Sequence, residues 1–322
     1  MSGYILKKED FGKFIESLKE EYEIFAPVKK KTYFVFGKVD SAEEIAFEFI
    51  NTEYSPTNLF FPKKEVLFDY NNTKINNKKE DITRVIFGIR PCDVHALIIM
   101  DTLFLEANFE DTYYRKKREN TLLISLKCNS AGENCFCESM GTDKLERGYD
   151  LMFCEQGGSY VVDIGSQRGQ KLINELFKST DEECIKELHC NKKLDMQKVN
   201  QLEQFAEHEG WKKESEACLS CAACTITCPT CGCFDVVDVP NLNMAAGKRL
   251  RVNTSCQLKN FSEVAGGHVF RETRDKRFKH RIYHKLVYFK KQFDTFMCVG
   301  CGRCITNCPA GIDMVSIINS LK

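Results

Sequence analysis

Apolar residues recur at helical spacing in residues 8–22, where Phe11, Phe14, Ile15 and Leu18 share one face and predict an amphipathic helix. β-rich runs at 32–39 and 65–70 predict strands, and the polar stretch 71–81 between them and the next apolar run predicts an exposed loop. The unbroken apolar run RVIFGI at 84–89 reads as a buried strand stopped by Pro91, with Asp93 capping a helix over 94–106. A second such run, TLLISLK, lies at 121–127, and 150–164 predicts a β-hairpin turning at Gly157-Gly158. Strand, helix, strand in this order predicts an α/β domain with parallel neighbours over residues 1–165. The Glu/Lys/Gln-rich stretch that follows predicts a helical connector over 166–210, and a change to Cys, Gly, Ala and Pro opens a last region, 211–322. The expected fold class is thus α+β and multidomain.

Composition narrows the class. The chain has 322 residues, with 46 Lys and Arg balanced by 46 Asp and Glu. Zero net charge disfavours a generic nucleic-acid binder. No run approaches the roughly 18–20 apolar residues of a spanning helix, and the first ten residues hold Lys7, Lys8, Glu9 and Asp10 instead of a signal-peptide core. A cytoplasmic, membrane-free protein is expected. Eighteen cysteines then stand out. In a long chain from a reducing compartment, clustered cysteines mean metal ligation or redox chemistry.

Eight of them form a repeat. Cys218, Cys221, Cys224 and Cys228, followed by Pro229, have the spacing C-x2-C-x2-C-x3-C-P, and so do Cys298, Cys301, Cys304 and Cys308, followed by Pro309. This is the two-cluster bacterial ferredoxin pattern, in which the fourth cysteine of each run serves the other cluster. One [4Fe–4S] cluster is therefore assigned to Cys218, Cys221, Cys224 and Cys308, and the other to Cys298, Cys301, Cys304 and Cys228. Pro229 and Pro309 are expected to open helices, and the small residues Ala222, Ala223, Gly300 and Gly302 to let backbone N–H groups reach sulfur. The bland alternative is zinc in four-cysteine sites, which normally use paired CxxC knuckles. The runs start 80 residues apart, so residues 230–297 form a large insertion in a ferredoxin-like domain.

Cys92, Cys128, Cys135 and Cys137 offer a third [4Fe–4S] site. Cys92 and Cys128 each follow a predicted strand, so parallel strands would deliver both to one carboxyl edge. The helix after Pro91 would favour a Cys92 thiolate. Reduced packing thiols or zinc are the alternatives. Cys231, Cys233 and Cys256 read as packing, a redox pair or cluster neighbours, and Cys154, Cys184 and Cys190 as ordinary thiols. Neither G-x-G-x-x-G nor G-x4-G-K-[ST] occurs, so no nicotinamide, flavin or ATP motif is visible. Residues 271–291 hold nine Lys and Arg. They read as a solvated face, as cations beside anionic clusters or a docking surface for an acidic partner, or as an RNA-binding stretch.

Several motifs together resemble one family: RPCD at 90–93, GENCFCESMG at 132–141, CPTCGCFDV at 228–236, AGGHVFR at 265–271, YHK at 283–285 and CVGCGRC at 298–304. From about residue 84 onward the chain resembles the iron–sulfur subunit of anaerobic sulfite reductase. It is also similar to the β subunit of cytoplasmic NiFe sulfhydrogenases. Related chains more often carry an aromatic residue where Gly232 stands. The resemblance implies an electron-transfer subunit with no substrate site of its own. It would relay electrons from a flavin-containing, NAD(P)H-oxidising subunit to a sirohaem subunit that reduces sulfite to sulfide. In the sulfhydrogenase reading the partners are hydrogenase subunits. A zinc- or cluster-stabilised nucleic-acid binder is the rival from another class, and direct sulfur chemistry at Cys231, Cys233 or Cys256 is a further one.

Overall fold

The computed structural model describes residues 3–72, 74–77, 82–184, 186–242 and 245–322. Its strands are β1 (Gly3–Lys7), β2 (Glu23–Lys30), β3 (Tyr33–Lys38), β4 (Lys64–Asn71), β5 (Lys74–Asn76) and β6 (Arg84–Ile89). They continue with β7 (Thr121–Leu126), β8 (Leu151–Gln156), β9 (Ser159–Ile164), β10 (Phe177–Thr180), β11 (Phe234–Pro240) and β12 (Ala246–Asn253). Among the described residues eight of them form one sheet in the order β10-β1-β9-β8-β7-β6-β2-β3. Its centre, from β2 through β6 and β7 to β8, is parallel, and both flanks are antiparallel.

Every residue of β6 and β7 is buried, because both faces of the sheet are covered. On one face the helix Phe11–Lys19 lays Phe14 over Phe153, with ring centroids 5.8 Å apart. On the other, the helix Pro91–Asp101 packs Val94, Leu97 and Met100 against Ile86, Ile89 and Leu123. The expected hairpin is β8–β9, turning at Gly157-Gly158.

The helix after β6 begins earlier than expected. Pro91 fills its first turn and Arg90 precedes it in extended conformation, so Asp93 lies inside the helix and is not its cap. The expected loop at 71–81 instead carries β5, paired with β4 through Tyr70 and Ile75, and residues 73 and 78–81 lie outside the described residues. The expected helical connector is also corrected. Among the described residues, 166–210 hold short helices (Gln167–Gln170, Met196–Asn200 and the 3-10 turn Leu202–Phe205), together with β10, an edge strand on β1. Its anchor is Phe177, buried edge-on against Phe14, a tertiary contact that the polar composition of the stretch hides.

The 230–297 insertion does not stand apart either. β11 and β12 join β4 and β5 in a four-stranded antiparallel sheet, with Arg251 opposite Glu65. The Arg251 guanidinium is 3% exposed, pairs with Glu65 and Asp111, and lies over the Phe61 ring. The first and last thirds of the chain are thus clasped together.

Candidate metal centres

Each cysteine run bends tightly round its own loop. Ser220 and Ala222 in the first run, and Gly300 and Gly302 in the second, all have positive φ. A one-turn helix follows each loop, Ala223–Ile226 and Arg303–Thr306, and Cys228 and Cys308 come just after these turns. The fourth cysteine therefore ends a helical turn, and the prolines behind it open a non-helical turn, contrary to the expected helix start.

The two runs share their cavities. One is lined by Cys218, Cys221 and Cys224 from the first run and by Cys308 from the second, with Arg281, Ile282 and Ile312 between them. Backbone N–H groups point at its sulfurs: Ser220 donates to Cys218 Sγ at 3.4 Å and Ile312 to Cys308 Sγ at 3.3 Å. A second cavity is lined by Cys298, Cys301 and Cys304 with Cys228 of the first run. Each cavity thus brings the fourth cysteine of one run beside the first three of the other. Cys304 and Arg281 border both cavities, so the two adjoin. Among the described residues no three His, Cys, Asp or Glu side chains converge as ligands of a single ion do. Sulfur-directed N–H groups and cavities lined by at least four thiols each fit [4Fe–4S] clusters.

Positive charge is buried beside these sulfurs. Arg277, Arg281 and Lys285 follow at intervals of four along the helix Arg274–Tyr283 and the π-helical turn His284–Tyr288, and all three are buried. The solvated-face reading of 271–291 therefore fails for them. Arg281 donates to Cys224 O at 3.1 Å and Lys285 to Thr230 Oγ1 at 2.9 Å. Burial opposes the Lys285 charge, but Cys228 and Cys231 more than offset it and hold the ammonium above its ordinary pKa. Burial lowers His280 and His284 to about 4, with Arg271 adding at His280 and Lys285 at His284.

The third cysteine group gathers at the carboxyl edge of the large sheet. Cys92 follows β6 and Cys128 follows β7, which are parallel, while Cys135 and Cys137 come from the loop and short helix beyond. A fifth thiol, Cys190, joins them with its Sγ 3.6 Å from that of Cys137. It is no ordinary thiol, and nothing near it in the sequence announces it. Burial pushes the Cys92 thiol well above its ordinary value, with the Asp93 carboxylate adding, so the helix start does not by itself make a thiolate there.

The RPCD residues around Cys92 divide the work. Arg90 donates to the carbonyls of Leu126 at 3.2 Å and Lys127 at 3.3 Å, holding the strand end from which Cys128 emerges. Asp93 takes both guanidinium nitrogens of Arg303 at 2.7 Å, and both side chains are buried. Arg303 lies between Cys301 and Cys304, so this pair ties the sheet edge to the second cysteine run.

Backbone contacts complete the seam. Phe136 N–H donates to Gly300 O at 2.8 Å, Thr142 Oγ1 to Val299 O at 2.6 Å, and Asn51 Nδ2 to Cys301 O at 2.7 Å. A Cβ on Gly300 would stand 2.6 Å from Cys137 N, and one on Gly302 would stand 2.3 Å from Asn134 O. These glycines permit close approach of two cysteine loops, a role beyond the N–H access expected of them.

Of the remaining cysteines, Cys231 donates its backbone N–H to Cys228 O at 3.4 Å, and Cys256 is buried. A side chain at Gly232 would meet the Phe104 ring at 2.9 Å, so an aromatic ring already fills that space from another element. Cys154 and Cys184 form a disulfide with Cα atoms 5.9 Å apart, which corrects their reading as free thiols. The helices of the described residues include none long and apolar enough to cross a membrane.

Residues 217–312 match the family model of a 4Fe-4S dicluster domain, and this region is accordingly an iron–sulfur, ferredoxin-like unit. Over its whole length the chain is similar to sulfhydrogenase 2 subunit beta of Pyrococcus furiosus. The two are 32% identical over 330 residues, covering 98% of this chain and 97% of the relative. The chain belongs to that family of β subunits, which form part of oxidoreductase complexes. No solved structure matches.

Proposed function

We propose that this chain is the electron-relaying subunit of a cytoplasmic hydrogenase-type complex, holding three [4Fe–4S] clusters in a row. The observation that carries the reading is contiguity. The first two cysteine cavities share Cys304 and Arg281, and the third cysteine group meets the second cavity through Phe136 and the Gly300 backbone. Cys218, Cys221, Cys224 and Cys308 would hold the outer cluster, near the surface at the exposed Cys221. Cys228, Cys298, Cys301 and Cys304 would hold the middle one, and Cys92, Cys128, Cys135 and Cys137 the inner one. A cluster bound at each site supplies one-electron storage at a potential set by burial and hydrogen bonds to sulfur. The chain's own contribution is to keep the sites adjacent, and to place Arg281 and Lys285 where added negative charge is stabilised.

The motifs alone point first to a sulfite-reducing complex. Full-length similarity to a sulfhydrogenase β subunit favours the hydrogenase alternative for the terminal partner. A flavin-containing, NAD(P)H-oxidising partner remains part of the proposal. Inward-facing Arg277, Arg281 and Lys285 leave the 271–291 stretch poorly suited to nucleic acid. Anaerobic co-purification tests the reading: nickel in the complex supports it, and sirohaem would return the assignment to sulfite reduction. Iron and labile sulfide near twelve per chain support three clusters, whereas a count near eight removes the inner one.

A further inference from the structure

We propose that Cys190 is a potential-setting hydrogen-bond donor to the Cys137 sulfur at the inner centre, and not one of its ligands. The inference rests on the inner-cluster reading above. Five thiols gather there, one more than a cubane has irons for. The 3.6 Å separation of Cys190 Sγ from Cys137 Sγ lies within S–H···S reach, and it is too short for two thiolates held on different irons of one cluster.

The pairing is built, not incidental. Residues flanking Cys137 hold the segment that carries Cys190. Glu138 Oε2 accepts the Cys190 N–H at 2.8 Å, and Ser139 Oγ accepts the Leu194 N–H at 3.0 Å. Lys193 also pairs with Glu138. Upstream, the Cys154–Cys184 disulfide and a 2.6 Å bond from Lys186 to Asn129 fix the same segment to the sheet. Cys190 is 3% exposed and therefore shielded from water and from stray thiols.

A donor aimed at a ligand sulfur stabilises the more negative, reduced cluster and so raises its potential. A net hydrogen bond of ordinary strength corresponds to about two- to tenfold in the reduction equilibrium, and tenfold reads as about 59 mV in a one-electron couple.

The test is an EPR-monitored redox titration of the anaerobically purified full chain, with iron counted on each sample. Cys135→Ser identifies the inner signal as the one that disappears. Cys190→Ala is expected to keep wild-type iron and to lower that signal's midpoint alone. Cys190→Ser, which keeps a hydroxyl donor, is expected to shift it less in the same direction and serves if the alanine protein does not fold. Loss of about four irons in Cys190→Ala would make Cys190 a ligand and overturn the proposal. An unmoved midpoint in both variants would overturn it too. Wild-type iron near eight would instead remove the inner-cluster reading itself.

Discussion

The two cysteine runs have one spacing and two fates. Ser220 and Ala222 in the first run correspond to Gly300 and Gly302 in the second, and all four have positive φ. Wrapping a loop round four sulfurs therefore does not require glycine, since half-buried Ser220 and buried Ala222 adopt the same backbone in the first run. Glycine is required where the second loop meets the Asn134–Cys137 backbone. The next position diverges for the same reason: Ala223 in the first run is Arg303 in the second, which reaches the buried Asp93. A repeat that looks symmetric in sequence thus separates into an outward run, with Cys221 exposed, and a docked run, with Cys301 buried.

The sharpest way to break this asymmetry is Arg303→Ala. It leaves the buried Asp93 carboxylate without its guanidinium and with the Ser55 hydroxyl bond at 2.7 Å, and anaerobic denaturant unfolding should show a loss of about 3–5 kcal/mol. Gly300→Ala adds a Cβ against backbone that cannot yield. A loss of about 2–3 kcal/mol is expected, with slower electron transfer between the inner and middle centres by rapid-freeze EPR. Ordinary stability and transfer in that variant would show that the seam is loose. Lys285→Met removes a buried cation beside Cys228 and should lower the middle centre's midpoint by roughly 1–3 kcal/mol equivalent at an effective dielectric of about 20, leaving the outer centre less affected. Ser220→Gly and Ala222→Gly, the reverse exchange in the outward run, should change stability by about 1 kcal/mol or less.

The mildest expected effect is a pH dependence. His280 is held near 4 by burial, below its ordinary value of about 6.5. Between these values the unfolded chain binds the extra proton, so stability is complete above pH 6.5 and falls as pH drops towards 4. His284 adds to the trend with the same sign. A His280→Gln protein whose unfolding midpoint falls as steeply as wild type from pH 7.5 to 5 would assign the acid sensitivity elsewhere.

Much of the fold was legible where the signal is local. The buried runs of β6 and β7, the Gly157-Gly158 hairpin and the crossed cysteine groups all leave periodic or spaced traces. The long-range partners leave none. β4 and β12 pair across some 180 residues, Asp93 and Arg303 across 210, and Cys137 and Cys190 across 53. Polar composition at 166–210 suggested helices because β10 owes its existence to the β1 edge and to a single buried Phe177. Arg90 was visible as part of a motif, yet its task of holding the end of β7 emerges only when the parallel strands lie side by side.

The seam at Gly300 and Gly302 also constrains how the molecule matures. Cys92, Cys135, Cys137 and Cys301 are all under 9% exposed once the two loops have met. On the three-cluster reading, iron and sulfide must be delivered before that closure. A chain that folds first would have to reopen its tightest joint to be loaded, while the outer position, with Cys221 at the surface, could still be filled afterwards.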